Sequence, residues 1–468
     1  MRGPALHDRF VLAVAALFLC AHIASPARHL EDIDSVNFAL GLRHYDVAAH
    51  QPHPPGYPVF IVLARGSAAL VDVVVQADPA DPEALASRDA RAMSLLAAVA
   101  GALALFFLYG ILRTIASPGT PAVLAPAATA LAACTPLFWL TASRPLSDMP
   151  GLAGALGCQY LVLRAPRHDI SLRRAILAAL ACGVAVGVRS QVTWLVVPLL
   201  VWTIARVWRR GTVHMAFAVA GAALAGVLTW AVPMVWLTGG LDAYRTALAS
   251  QAGEDLDGVP MLLLTPGVRP LAQALADTFV WPWGTWLLAA AAIALAAAGV
   301  VGLRRQRGMA TWLVLGFAPY LAFHLLVQET ETTRYALPTV PAIVALVVLV
   351  STRWARHVLQ PVVVLIGITS LAVSVRAHHQ YAAAGMTSSE VLARMTDAAE
   401  GLPERPHVAM HRRVWAETRR IRHMLTPVSA FDVLPSPRAR RAVHGRARRT
   451  RPTALGARRR LRTRTRAR

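Results

Sequence analysis

The chain reads as an all-α polytopic membrane protein with about 11 transmembrane helices and a long first extracytoplasmic loop carrying interfacial helices. Three observations predict this. Hydrophobic residues occupy 56% of the 468 positions and charged ones only 15%, whereas about a quarter of a soluble globular domain is charged. Apolar runs of spanning length, or close to it, recur along the first 375 residues. Arginines gather in alternate connectors between those runs, as the positive-inside rule expects of cytoplasmic loops.

The runs cover residues 10–25, 92–112, 121–141, 149–163, 175–188, 191–206, 212–237, 284–303, 310–327, 337–352 and 358–375. The first, fourth, fifth and sixth fall short of the roughly 20 residues that cross a bilayer comfortably, which predicts tilt or half-buried ends. A twelfth stretch, Val59 to Val75, contains Arg65 and Asp72, and two charges in hydrocarbon would cost several kcal/mol. The connectors Arg164 to Arg174, Arg206 to Arg210, Arg304 to Arg307 and Arg353 to Arg356 are arginine-rich and are assigned to the cytoplasm. Those between them are mostly richer in acids, with Asp242, Glu254, Asp255 and Asp257 in one and Glu329 and Glu331 in another. With Arg2 and Arg9 holding the N-terminus in the cytoplasm, these assignments require an odd number of spans before residue 145. Val59 to Val75 is therefore expected to lie along the membrane, interfacial or re-entrant, within one outer loop over residues 26–90. A cleaved signal peptide ending near Ala24 to Ala27 would leave that loop on the same side.

This organisation gives a membrane module over residues 1–375, a small extracytoplasmic helical region over 376–432 and an arginine-rich tail over 433–468. The tail holds 14 arginines, no acid and almost no large apolar residue, so it cannot build a core. It reads as the frame-shifted end of a GC-rich gene; a basic arm for anionic lipid or polysaccharide is the alternative. All 47 basic residues of the chain are arginine, which points to high GC content and a bacterial cell membrane. No nucleic-acid module accompanies this charge, so nucleic acid is not an expected partner. Cys20, Cys134, Cys158 and Cys182 lie inside apolar runs without paired spacing, which suggests neither a disulfide framework nor a zinc site. Tryptophans such as Trp281, Trp283 and Trp286 are expected in an interfacial belt.

Sidedness also gathers polar residues on one membrane face. The outer loop opens with Glu31-Asp32-Ile33-Asp34-Ser35-Val36-Asn37-Phe38 and leads to a proline-stiffened turn, His53-Pro54-Pro55-Gly56-Tyr57-Pro58. Ser143 to Met149, the turn at Arg189 and Gln328 to Pro338 fall on the same face. The residues that could converge are Asp32, Asp34, His53, Arg144, Asp148, Arg189, Arg334 and Tyr335. Such acids can act as a base or bind a metal, and such arginines can hold a phosphate. Use of a divalent metal is left open. Each residue also has a plain structural reading. Asp32 or Asp34 suits the N-cap of a helix beginning near Ser35, and His53 can simply shape its turn. Asp148 precedes Met149-Pro150 as a cap would, and Arg334 has Glu329 and Glu331 nearby for a local ion pair. Arg189 has no obvious acidic neighbour in sequence, which favours anion binding.

The acidic cluster, the turn from His53, Arg91 and Ser94 before the next span, and Arg144-Pro145-Leu146-Ser147-Asp148 opening a later one resemble the glycosyltransferase-C superfamily. These are polyprenyl-phosphate-sugar-dependent transferases, among them protein O-mannosyltransferases and the aminoarabinose transferases that modify lipid A. The likeness covers residues 10–375, and the turn resembles that of the O-mannosyltransferase-like branch. It implies that an acid of the first outer loop is catalytic, Asp34 before Asp32, and that a second acid assists from a short outer loop, a position Asp148 matches. Where some relatives have Glu three residues after the Asp that Asp34 matches, this chain has Asn37.

The resemblance implies inverting transfer of a sugar from a polyprenyl-phosphate donor to a hydroxyl of a lipid, glycan or protein on the extracytoplasmic face. A sugar on a phosphate is already activated, so no nucleotide is needed. What remains is to deprotonate the acceptor and to stabilise charge on the departing phosphate. Asp34 is the expected base; His53, Asp148, Arg144, Arg189, Arg334 and Tyr335 are the expected substrate-binding set, with Arg189 or Arg334 on the phosphate. A transporter or flippase for lipid-linked saccharides is the rival class, but it would show an internal repeat and mid-membrane charges, and most spans here are Ala, Leu and Val. A polysaccharide ligase would carry Arg and His in a large late outer loop, and Gly239 to Trp283 contains no His.

Overall fold

The computed structural model describes residues 3–164, 172–209, 213–258, 261–353, 356–384, 407–410 and 432–435. The chain divides into two units, Met1–Glu390 and Val391–Arg468. In the second, the described residues are two strands, β1 (His407–Met410) and β2 (Asp432–Pro435), paired in parallel. They are the one departure from helix among the described regular elements. Most of the expected helical region over 376–432, and nearly all of the arginine tail, lie outside the described residues.

The regular elements described in the first unit are all helices. Its elements begin with α1 (Gly3–Ala24), α2 (Ile33–Arg43), α3 (Pro58–Asp72), α4 (Pro82–Ile115), α5 (Leu124–Cys134), α6 (Pro136–Thr141), α7 (Asp148–Arg164), α8 (Leu172–Val186) and α9 (Val192–Arg209). They continue with α10 (Val213–Leu237), α11 (Leu241–Gly258), α12 (Val268–Phe279), α13 (Trp286–Gly302), α14 (Arg307–Gly316), α15 (Ala318–Val327), α16 (Thr339–Arg353) and α17 (Arg356–Ala384). Each of the eleven apolar runs falls on one helix or on two consecutive ones. The run over 121–141 is split into α5 and α6 at Pro136, and that over 310–327 into α14 and α15 just ahead of Pro319. Proline removes a helical N–H and crowds the preceding turn, so the break belongs there.

Among the described residues, seven helical stretches are long and apolar enough to cross a membrane: Leu6–Ala24, Glu83–Ile115, Val192–Arg209, Val213–Leu237, Trp286–Arg305, Arg307–Val327 and Arg356–Ala382. Leu124–Cys134 and Thr339–Thr352 are shorter apolar helices. The runs at α7 and α8 form helices of 17 and 15 residues, and α7 is buried along most of its length against α4, α8 and α9. Between α8 and α10 the backbones touch: a Cβ on Gly183 would strike the carbonyl oxygen of Ala223, and one on Gly226 that of Leu180. Small residues permit such close packing where lipid offers no hydrophobic drive for helices to associate.

The stretch from Val59 forms α3, whose 15 residues reach about 22 Å, less than the roughly 30 Å of hydrocarbon. Both of its charges are met by protein groups. Arg65 donates to the carbonyls of Gly41 and Leu42, each at 3.0 Å, and Asp72 is ion-paired with Arg88. Ser67 bonds the Ala92 carbonyl at 2.6 Å, while Val62, Leu63 and Leu70 stay exposed. That is an interfacial helix lying on α4.

Helix ends alternate between two poles. At one, Asp8 of α1 meets Arg113 of α4 at 2.6 Å, and Thr120 before α5 meets Gln306 before α14 at 3.0 Å. At the other, the Ser94 hydroxyl takes the Ala27 N–H at 3.1 Å and donates to Ser143 at 2.8 Å, and the Val59 N–H reaches the Gly187 carbonyl at 3.0 Å. The described ends of the arginine-rich connectors share the first pole, and the acidic loop lies at the second. Trp281 and Trp286 are exposed, but Trp283 is fully buried. The expected interfacial belt therefore does not include Trp283, which a short 3-10 turn directs into the core.

Candidate active site

The first residues of α2 organise the site. Asp32 is the N-cap: its carboxylate accepts the Ser35 N–H at 2.9 Å, while the Ser35 hydroxyl accepts the N–H groups of Asp32 at 3.0 Å and Glu31 at 2.9 Å. Two otherwise orphaned helix-terminal donors are thereby satisfied. Capping thus belongs to Asp32, and Asp34 is free to turn inward. Asp34 is ion-paired with Arg334 and lies 3.7 Å from His53 Nε2. The uncapped side of Asp32 stays 3.6 Å from Arg334 and 3.9 Å from Arg144.

Asp148 opens α7, but its carboxylate is not spent on a cap. One oxygen pairs with Arg189 at 3.1 Å and the other accepts from Arg334 at 2.9 Å. Arg189 also donates to the Ser147 hydroxyl at 2.8 Å. Both guanidinium groups lie over the Tyr335 ring, at 5.3 Å for Arg189 and 4.9 Å for Arg334, a cation–π arrangement. One structural reading from the sequence is corrected here. The local ion pair of Arg334 with Glu329 or Glu331 gives way to Asp34 and Asp148, because a 3-10 turn over Thr333–Ala336 carries Arg334 into the bundle. Arg189, without an acid nearby in sequence, finds Asp148 across the helix packing.

The turn after α2 brings in the histidine. His53 packs on Phe38 at 5.6 Å between ring centroids, and its Nε2 is 3.2 Å from the Tyr57 hydroxyl. Its Nδ1 is 3.3 Å from the Asn37 side-chain amide. With that amide donating to Nδ1, the proton of a neutral imidazole resides on Nε2, facing Asp34. Asn37 thereby orients His53.

Electrostatics follow from burial and partners. Burial pushes Asp34 toward its neutral form, but Arg334 and His53 outweigh it and hold the carboxyl below its usual range. Burial lowers the His53 imidazole despite the opposing attraction of Asp34, which favours its neutral form. Glu31 was quoted in the sequence motif but not expected in the site. It is 1% exposed, pairs with Arg144 and accepts the Tyr381 hydroxyl at 2.7 Å. Burial raises its carboxyl even with Arg144 beside it.

All eight expected residues, Asp32, Asp34, His53, Arg144, Asp148, Arg189, Arg334 and Tyr335, fall in one connected network; Glu31, Asn37, Tyr57, Ser147 and Tyr381 join it. Among the described residues no group of three or more His, Cys, Asp or Glu side chains is arranged to hold a metal. The carboxylates that could serve are already engaged by arginines.

No family model and no curated protein matches the sequence. Solved structures do match. ArnT from Cupriavidus metallidurans, in its apo state, superposes with a TM-score of 0.53 at 14% identity over 86% of this chain and 82% of that one. The oligosaccharyltransferase of Archaeoglobus fulgidus, tethered to an acceptor peptide, gives a TM-score of 0.50 at 13% identity over 93% of this chain. The chain has the glycosyltransferase-C fold. At such identity the likeness resides in the arrangement of helices, and the chain spans only 64% of the oligosaccharyltransferase. Within the glycosyltransferase-C fold of this chain, the acid–arginine network joins the first loop, α7, the α8–α9 turn and the segment before α16.

Proposed function

We propose that this chain is an inverting glycosyltransferase that moves a sugar from a polyprenyl-phosphate donor to a hydroxyl acceptor on the extracytoplasmic face of a bacterial cell membrane. The observation that carries the reading is the contact of the Asp34 carboxylate with Arg334, beside a second arginine, Arg189, that shares Asp148. A base and two phosphate-binding cations thus occupy one buried spot. Sidedness is supported by the arginine-rich connectors at the opposite pole.

Asp34 accepts the proton of the acceptor hydroxyl. The acceptor oxygen forms its bond to the anomeric carbon as the bond from that carbon to the phosphate oxygen breaks, inverting the centre. The phosphate leaves with an added negative charge, which Arg334 and Arg189 stabilise. The two charge changes are complementary: protonation neutralises Asp34, so its hold on Arg334 lapses as charge grows on the phosphate. Such an exchange suits a site where buried charges must stay paired. The space beside Asp148, Arg189 and Arg334 is about 20 Å³, on the order of a single water. A donor phosphate therefore reaches Arg334 by displacing Asp34, while Asp148 keeps its place. His53, held neutral with its proton toward Asp34, orients the base; Asp148 keeps the two arginines together, and Arg144 and Tyr335 complete the wall.

Membranes containing the protein, incubated with radiolabelled polyprenyl-phosphate sugars, are expected to transfer label to an endogenous acceptor. The reading fails if no such donor is used, or if Asp34→Asn and Asp32→Asn proteins both keep full activity.

A further inference from the structure

A sizeable cavity lies at the pole opposite the acid–arginine network. It measures about 530 Å³ and is bounded by the start of α1, the ends of α4 and α7, and the start of α8. Three arginines face it, Arg113, Arg164 and Arg174, against a single acid, Asp8. Arg113 is the one that Asp8 neutralises, at 2.6 Å. Among the described residues Arg164 bonds the neutral Tyr160 hydroxyl at 2.6 Å and lies over that ring at 5.1 Å. Arg174 has no hydrogen bond or ion pair among the described residues. Among the described residues neither Arg164 nor Arg174 has an acid as partner, and both face one concave space.

The same cavity changes character along the membrane normal. Val11, Leu12 and Phe106 line it together with the arginines, and Leu12 and Phe106 are 58% and 45% exposed on helices that are long and apolar enough to span a membrane. α7 runs from Asp148 in the network to Arg164 at this mouth, so its 17 residues separate the two sites by about 25 Å. The cavity is thus at the opposite membrane surface and takes no part in the proposed transfer.

We propose that this cavity binds an anionic phospholipid of the adjoining leaflet, with the phosphodiester headgroup between Arg164 and Arg174 and an acyl chain along Leu12 and Phe106. A phosphodiester supplies the missing negative charge, and arginine engages its oxygens through paired N–H donors. Basic pockets between helices at a membrane surface suit such headgroups. A free phosphate would satisfy the arginines but would leave the apolar wall and most of the volume unused.

The test is native mass spectrometry of the full chain released from micelles containing equal amounts of phosphatidylglycerol and phosphatidylcholine. Wild-type protein is expected to retain phosphatidylglycerol preferentially. The doubly substituted Arg164→Gln, Arg174→Gln protein should lose roughly tenfold or more of that retention, since each arginine near a lipid surface contributes about 1 kcal/mol. Arg206→Gln, outside the cavity, should keep it. Arg174→Gln alone removes no internal partner, so it reports on the site even if the double variant folds poorly, and it should weaken retention by about fivefold. Equal retention of the two lipids by wild type, or undiminished phosphatidylglycerol on the Arg174→Gln protein, overturns the proposal. Displacement of the lipid by inorganic phosphate at equal concentration also overturns it, assigning the site to a soluble anion.

Discussion

Arg334 and Asp34 are 300 residues apart in the sequence and ion-paired in the fold. The same guanidinium donates to a second carboxylate, Asp148, at 2.9 Å. One cation therefore joins the first loop, the start of α7 and the segment before α16. A ligand that competes for Arg334 loosens all three at once, which is why the predictions below centre on its partners.

Asp34→Asn should abolish transfer, by about a hundred- to ten-thousandfold, the usual worth of a positioned general base. Asp32→Asn should behave differently: Asn is itself a good cap, so stability changes by less than about 1 kcal/mol and transfer falls only modestly. Initial rates with a labelled polyprenyl-phosphate sugar separate the two. Equal losses would show that the base is not Asp34 alone.

The pH dependence should report the exchange of Arg334. In the free protein Asp34 is held below the usual carboxylate range, since Arg334 and His53 overcome the effect of burial; such a carboxylate is a weak base. Donor phosphate drawing Arg334 away raises it, so the acid limb of kcat should lie at higher pH than that of kcat/KM. Arg334→Gln should move the kcat/KM limb upward and reduce transfer by about a hundred- to thousandfold. Stability follows the same sign. A depressed folded pKa contributes stability above the unfolded value of 3.8 and loses it as pH falls through the lower folded value. Thermal unfolding of wild type between neutral and acid pH should show that loss, and Arg334→Gln should show less of it.

The helices were legible because apolar runs announce themselves, and α3 was set apart because Arg65 and Asp72 do not belong in hydrocarbon. Convergence of the eight polar residues followed from sidedness alone. Their pairing did not, because the partners lie far apart: Asp148 and Arg334 are 186 residues apart, Glu31 and Tyr381 350. Local sequence even misdirected Arg334 toward Glu329 and Glu331, since no residue pattern marks the 3-10 turn that inverts it. One signal was available: Ser35, three residues after Asp32, is the reciprocal partner of a capping box, and it separates the cap from the inward-facing acid. Tyr381 had no such mark. The last apolar run closes before Arg376, whereas α17 continues to Ala384.

Glu31 and Arg144 should prove mutually dependent. Glu31→Ala leaves Arg144 without the buried carboxylate that it contacts, and the cost should approach about 3 kcal/mol, the lower end for breaking a buried pair, because Arg144 is 23% exposed. Replacing both, Glu31→Gln with Arg144→Gln, should recover much of that. Unfolding of the purified variants in detergent closes the cycle; strictly additive losses would refute the pairing.

Gly56→Ala tests whether the turn positions His53. Gly56 has φ +106, a conformation that an L side chain adopts at a cost of about 1–3 kcal/mol. A Cβ there would also approach Met234 Sδ, Tyr45 Oη and Val47 Cγ2, each at 2.9 Å. The methionine end can swing aside, but Val47 is fully buried and Tyr45 is tied to the Gly56 carbonyl at 3.0 Å. The turn must therefore shift, and the Gly56 N–H bond to the His53 carbonyl, 3.1 Å, transmits the shift to the imidazole. Gly119→Ala supplies the control, since Gly119 has φ +80 with nothing within 4 Å of a Cβ. Both substitutions should lower the unfolding temperature, but only Gly56→Ala should lower kcat, by about tenfold or more if His53 leaves its place beside Asp34. If the two variants lose the same stability and both keep full transfer, the turn is a connector and His53 does not position the base.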